Sequence, residues 1–151
     1  KEANSQTFYG TNIAPQLNEH NEGIWANLEN KVRSIANASD TTYVVTGCVV
    51  DGATEFSTDS DGNKITIPVA FFKALLRYQK GAANEWIAAG FYTDHKKYSN
   101  NSDFKAISMS IDELEKKLGI DFFVNLEKKV GKDAAAAIEA ANPSNNTVLG
   151  L

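Results

Sequence analysis

The chain has 151 residues, 42% of them hydrophobic and 10% aromatic, with 15 basic against 19 acidic side chains and a formal net charge of −4. That length and apolar content suit one domain with a sizeable core, and 10 glycines with 3 prolines exclude a disordered or collagen-like chain. The acidic balance counts against charge-driven, non-specific nucleic-acid binding unless a metal ion supplies local positive charge, the single cysteine, Cys48, excludes an intrachain disulfide and a thiolate metal cluster, and no apolar run reaches the roughly 18 residues of a membrane-spanning helix.

In chain order, Thr7-Phe8-Tyr9 reads as the end of a short strand, and Pro15 breaks any helix before it. From about Asn18 to Ala38 the period is helical. Trp25, Leu28, Val32 and Ile35 recur at three- and four-residue steps, with Asn21 on the same stripe one turn earlier. Glu29 falls about 80° round the helix from Asn21 and two turns on. Lys31, Arg33 and Asn30 fall on other faces and are expected in solvent. The run from Thr42 to Val50 is β-branched without clean alternation, which predicts a strand buried on both faces.

A polar loop follows, then strand signals at Ile65 to Pro68, with Pro68 at a strand end or edge. Phe71–Tyr78 and Trp86–Tyr92 read as a β-hairpin with a loop of about five residues. Phe104–Met109 reads as another short strand. Ser110-Ile111-Asp112-Glu113 is a capping box opening a helix that Gly119 ends. Phe122, Phe123 and Leu126 form an apolar clasp after it. Asp133 is the expected N-cap of an alanine-rich helix stopped at Asn142-Pro143. Residues 1–142 then form the domain and 143–151 a tail, loose unless Val148–Leu151 dock. The order of elements is that of an α+β chain.

Few constellations carry chemistry. Asp59-x-Asp61-Gly62 resembles half a calcium loop, but the last ligand would fall at Pro68, so it reads as a turn. His20 and His95 are the only histidines. His95 sits in Asp94-His95-Lys96-Lys97, an exposed, positively charged loop. His20 precedes Asn21, but adjacent helix positions point about 100° apart and do not converge on one ligand. Asn12, Gln16, Asn21 and Glu29 have two readings. One is helix capping plus an exposed acid. The other is an amide ligand for a mostly hydrated magnesium ion, with a carboxylate holding its waters.

At these residues the chain resembles the DNA/RNA non-specific endonuclease family. The resemblance runs through Thr7-Phe8-Tyr9-x-Thr11-Asn12-Ile13-x-Pro15-Gln16, then Asn21, Gly23, Trp25, Leu28 and Glu29. It continues in Tyr43-Val44-Val45-Thr46-Gly47, Ile67-Pro68 and Phe71-Phe72-Lys73, and ends near Ser110–Glu115 and Leu118–Phe123, covering about residues 6–124. It implies a ββα-metal (His-Me finger) fold, a mostly antiparallel sheet with flanking helices. It implies hydrolysis of DNA and RNA with Mg2+ or another divalent cation. It assigns Asn21 as the direct metal ligand, Glu29 as the acid that orients metal-bound water, and Asn12 and Gln16 as amides lining the phosphate site.

The family's general base lies in an Asp-Arg-Gly-His signature upstream of the Thr-Phe-Tyr segment, and no such signature occurs here. The chain therefore reads as a C-terminal portion with the metal-side half of the site and without the base-side half, incomplete at its N-terminus and inactive alone. A missing N-terminal segment or a homo-oligomer would complete the sheet. The alternative is a non-catalytic binding or interaction domain that kept the fold, which the two arginines, Arg33 and Arg77, support. Family resemblance points to an extracytoplasmic compartment, periplasmic or secreted.

Overall fold

The computed structural model describes residues 13–151. The expected strand at Thr7-Phe8-Tyr9, and Asn12, lie outside the described residues. A helical run opens the description: α1 (Asn18–His20), a π-helical turn (Asn21–Trp25) and α2 (Ala26–Asn37). Strands β1 (Thr41–Val49), β2 (Phe56–Thr58), β3 (Lys64–Thr66), β4 (Ala70–Tyr78) and β5 (Trp86–Asp94) follow. Then come α3 (Phe104–Ile107), β6 (Ser108–Met109), α4 (Ile111–Leu118), α5 (Leu126–Val130), α6 (Lys132–Ala140) and a 3-10 turn at Pro143–Asn145.

The main sheet has the order β1-β4-β5-β6 and every pairing in it is antiparallel. Strand β4 pairs along nine residues with β1 and along nine with β5, and Ala70 to Arg77 are all buried. Its alternation divides two cores. Phe71 and Leu75 face the helical run and join Ile24, Trp25, Leu28, Val32 and Ile35. Phe72, Ala74 and Leu76 face the other way, onto Ile111, Leu114, Phe122, Leu126 and Ala135. Leu28, Leu75, Phe91 and Leu114 have no exposed surface, and each such side chain contributes about 1.5–3 kcal/mol by leaving water.

Local signals hold where they rest on backbone chemistry. Ser110 accepts from Glu113 N, and Glu113 reaches back to Ser110 N at 2.9 Å. Gly119 closes α4 at φ +69. The β4–β5 hairpin forms as expected. Asp59 Oδ1 accepts from the backbone N–H groups of Asp61 and Asn63, so this segment is a side-chain-closed turn.

Four expectations are corrected. Strand β1 is not buried on both faces: among the described residues it pairs only with β4, and Tyr43, Val44 and Val45 are 52%, 42% and 42% exposed. Residues 104–107 are a helical turn rather than strand, because Asp103 caps it by accepting from Ala106 N, which leaves only Ser108–Met109 to pair with β5. Gly131, not Asp133, is the N-cap of α6, and Asp133 sits in its first turn. Asn21 leaves the Trp25 stripe, because the π turn and the non-helical backbone of Gly23 break the regular α-helical rotation between them: Asn21 is exposed and Trp25 buried. At the C-terminus Leu149 is 1% exposed and packs in the α2-side core, and Lys31 Nζ donates to Gly150 O at 2.6 Å.

Gly47 on β1 has its α-carbon against the ring of Phe72, and a Cβ there would meet that ring at 2.5 Å. Gly47→Ala is expected to lower stability by about 1–3 kcal/mol through overpacking, read from urea unfolding. Adding Phe72→Leu should make the cost of Gly47→Ala smaller than it is with Phe72 present.

Candidate active site

The two histidines are structural. His20 is fully buried, and its ring nitrogens are both engaged: Gln16 Nε2 lies 2.6 Å from Nδ1, and Thr93 Oγ1 lies 3.0 Å from Nε2. Thr93 Oγ1 in turn donates to Phe71 O at 3.2 Å. With the Gln16 amide donating, His20 carries its proton on Nε2 and passes it toward Thr93, a complete directional chain. His95 is half-buried rather than exposed. Its Nε2 accepts from Leu17 N at 2.7 Å, and its Nδ1 lies 2.7 Å from Pro68 O. The rings are 5.5 Å apart, edge to face. Burial, and secondly the neighbouring His95, push the His20 ring down to about 4. Neither ring has a free nitrogen for a metal or a proton transfer; together they pin the entry of the helical run to β4 and β5.

The charged cluster lies further along the same run. Glu29, half-buried on α2, places Oε1 at 3.8 Å from Lys73 Nζ and Oε2 at 3.6 Å from Arg33 Nη2. Lys73 is 5% exposed at the middle of β4. Its Nζ donates to Thr46 Oγ1 at 3.1 Å and stands 4.2 Å from the centre of the Trp25 ring. Burial holds this ammonium below the usual lysine range, Glu29 works to raise it, and Arg33 lowers it. Arg33 is exposed, and its Nη1 donates to Asn30 Oδ1 at 2.8 Å.

Of the residues singled out from the sequence, Asn21 is exposed in the π turn and its side chain has no hydrogen-bond partner among the described residues. Glu29 sits two turns on, between two cations. Gln16 is half-buried and spends its amide on His20. Asn12 lies outside the described residues. Gly23 brings the π turn close to the 98–103 loop: a Cβ there would meet Asn101 Oδ1 at 3.0 Å, and Asn27 Nδ2 donates to Asn101 O at 3.0 Å. Sequence reasoning missed Arg33 and Lys73. The signals were the i,i+4 spacing of Glu29 and Arg33, and a lysine flanked on both sides by apolar residues in a strand.

Among the described residues no group of three or more His, Cys, Asp or Glu side chains could hold a metal. A single exposed amide oxygen, as Asn21 offers, fits a hard cation that keeps most of its waters. Among the described residues it does not fit zinc, which takes three or four protein ligands from Cys, His, Asp and Glu. A largely apolar pocket of about 360 Å³, lined by Tyr43, Leu76, Trp86, Phe123, Val124 and Leu126 among others, lies on the opposite face of the sheet from Lys73 and holds none of these residues.

Residues 1–129 match the family described as DNA/RNA non-specific endonuclease. The chain is 30% identical over 134 residues to a nuclease of Nostoc sp., covering 85% of this chain and 47% of that protein. It is 29% identical over 131 residues to a nuclease of Serratia marcescens, covering 81% and 45%. It is 26% identical over 137 residues to the mitochondrial nuclease EXOG of Xenopus laevis, covering 86% and 38%. The crystal structure of the EndoG/EndoGI complex matches with a TM-score of 0.63 at 22% identity, over 82% of this chain and 53% of that one. That likeness shows a shared α+β fold. The chain spans about half or less of the length of these proteins.

The His20 network makes stability depend on pH. The ring binds its proton more readily unfolded, near 6.5, than folded, near 4. Stability is therefore complete above about pH 6.5 and falls as pH drops through that window, levelling below about 4. Urea midpoints measured from pH 7.5 to 3.5 should show this loss in the wild type, and a markedly smaller loss across the same window in His20→Gln.

Proposed function

The chain belongs to the DNA/RNA non-specific endonuclease family, and on that premise we propose that it is the metal-side portion of a magnesium-dependent, sugar-non-specific endonuclease that hydrolyses phosphodiester bonds in DNA and RNA. The observation that carries this reading is the arrangement on the helical run: an exposed Asn21 amide, without a hydrogen-bond partner among the described residues, two turns ahead of a carboxylate, Glu29, bracketed by Lys73 and Arg33.

In this reading Asn21 Oδ1 holds Mg2+ or another divalent cation, and Glu29 accepts hydrogen bonds from water in the site, fixing its direction. A bound divalent ion supplies charge stabilisation at the phosphate and at the leaving oxygen. Arg33, exposed on the same helix, offers a guanidinium fork suited to phosphate oxygens. Gln16 and Asn12 line the approach to the phosphate, with Gln16 oriented by its bond to His20. Hydrolysis joins a water oxygen to phosphorus and breaks the bond to the leaving oxygen. It also requires a base to take the water's proton. The 151 residues contain no Asp-Arg-Gly-His, and the ring nitrogens of His20 and His95 are already engaged. This stretch alone is thus a slow catalyst at best.

The nine-residue edge of β1, with Tyr43, Val44 and Val45 turned to solvent, supports completion of the sheet by a further segment or a second copy. An extracytoplasmic setting rests on the family likeness alone. The second reading, a nuclease-fold binding domain without catalysis, draws on the burial of Arg77, which leaves Arg33 as the one exposed arginine.

Two measurements decide between them. Calorimetric titration with Mg2+ should give an affinity that Asn21→Ala weakens about 10–100-fold or abolishes; equal binding by wild type and variant would remove Asn21 from the metal. In a plasmid-nicking assay with Mg2+, a chain extended upstream to carry an Asp-Arg-Gly-His segment should cut about 10²–10⁴-fold faster than the present stretch. Robust nicking by the short chain would show that its base lies within these residues. An inert extended chain would favour the binding domain.

A further inference from the structure

The reading above gives Lys73 no task of its own, yet it is an ammonium group buried in the middle of the central strand, where a charge is costly to keep. Its surroundings are specific. Thr46 Oγ1 on β1 takes one hydrogen bond at 3.1 Å, the Trp25 ring lies under the charge at 4.2 Å, and Glu29 Oε1 stands at 3.8 Å. Three separate elements thus fix one nitrogen. The fourth neighbour differs in kind. Arg33, in an exposed position, stands 3.6 Å from the other Glu29 oxygen.

We propose that Lys73 is a positioning residue for Glu29, a fixed cation anchored by Thr46 and Trp25 that keeps the Glu29 carboxylate in one orientation when Arg33 leaves it for a phosphate. The proposal rests on the reading of Glu29 as the group that directs water in the site. Its logic is an exchange of partners. A carboxylate held by Arg33 alone would lose its only tether when an anionic substrate drew the guanidinium away, because a phosphate competes directly for the same fork. Lys73 cannot follow, since its stem is enclosed by the sheet and by α2, so Glu29 keeps its place through binding. A lysine suits this task better than an arginine: it acts as a point charge and does not present a second fork to the substrate.

The test uses the present chain without nucleic acid or metal and reads the two side chains by carbon-13 NMR. Lys73 should titrate below the ordinary lysine range in the wild type. Glu29→Gln should move that midpoint further down, because the carboxylate that supports the charge is gone, while Asn21→Ala should leave it in place. The Glu29 Hα–Hβ couplings should report one rotamer in the wild type and in Lys73→Arg, and averaged rotamers in Lys73→Met. Amide dispersion of β4 and β5 checks that each variant is folded. Thr46→Val, a change on the exposed edge, loosens the anchor without emptying the core and should shift the couplings partway toward the average; it decides the matter if Lys73→Met does not fold. A Lys73 midpoint indifferent to Glu29→Gln, or Glu29 couplings that stay fixed in the folded Lys73 and Thr46 variants, would overturn the proposal. A Lys73 that merely packed against Trp25 would give that result. Failure of Asn21→Ala to weaken Mg2+ binding, by contrast, would overturn the metal reading and leave the Lys73–Glu29 coupling standing.

Discussion

The burial of β4 on both faces is the constraint on which the rest of the structure depends. From Ala70 to Arg77 every residue of this strand is buried, and its backbone is paired along both edges. A strand in that position needs an apolar layer above and below, and the chain supplies them in two pieces. The helical run covers the face of Phe71 and Leu75, and α4 to α6 cover the face of Phe72, Ala74 and Leu76. Any polar group that β4 carries must then be satisfied within the protein.

Two such groups exist, and both lie on the α2 side. Lys73 finds Thr46, Trp25 and Glu29. Arg77 donates from Nε to Ser39 Oγ at 3.0 Å, and Ser39 Oγ donates to Ile35 O at 2.7 Å, so the guanidinium sits by the C-terminal end of α2, where the helix dipole favours a cation, while its Nη1 is buried without a partner among the described residues. The histidine pair completes the attachment at the opposite end. His20 reaches Thr93 on β5, and His95 holds Leu17 and Pro68. The helical run is thus fastened to the sheet by polar contacts at its entry, middle and exit. Of the residues proposed for the site, Asn21 directly follows the entry fastening at His20 and Glu29 belongs to the middle one through Lys73, and this gives the π turn and the first turns of α2 a fixed place over the sheet.

The edge of the sheet behaves differently. β1 meets β4 over its full length, yet Tyr43, Val44 and Val45 stay exposed. A β-branched run buried on both faces and one left at an edge read alike as sequence, since propensity records only fitness for a pleated surface. Among the described residues the outer edge of β1 carries no partner strand. The α2-side core is nonetheless closed at the C-terminus, where Leu149 is fully packed.

The sequence by itself determined what depends on neighbours a few residues apart. The capping box at Ser110 and Glu113, the stop at Gly119, the β4–β5 hairpin and the Trp25–Ile35 stripe are consequences of backbone hydrogen bonding and of periods of 3.6 and 2. The spaced pattern of Asn12, Gln16, Asn21 and Glu29 also pointed to the family. Tertiary structure alone decided which groups meet across the sheet. The exposure of β1 depended on what pairs with its other edge. The departure of Asn21 from the Trp25 stripe depended on a π turn seated against Asn101. The burial of His20, the half-burial of His95 and the bracketing of Glu29 by Lys73, 44 positions away in the chain, depended on β4 and β5 passing beneath the helix. Local chemistry fixes a residue's conformation, but a side chain's partners are set by burial, and burial is a property of the packed whole.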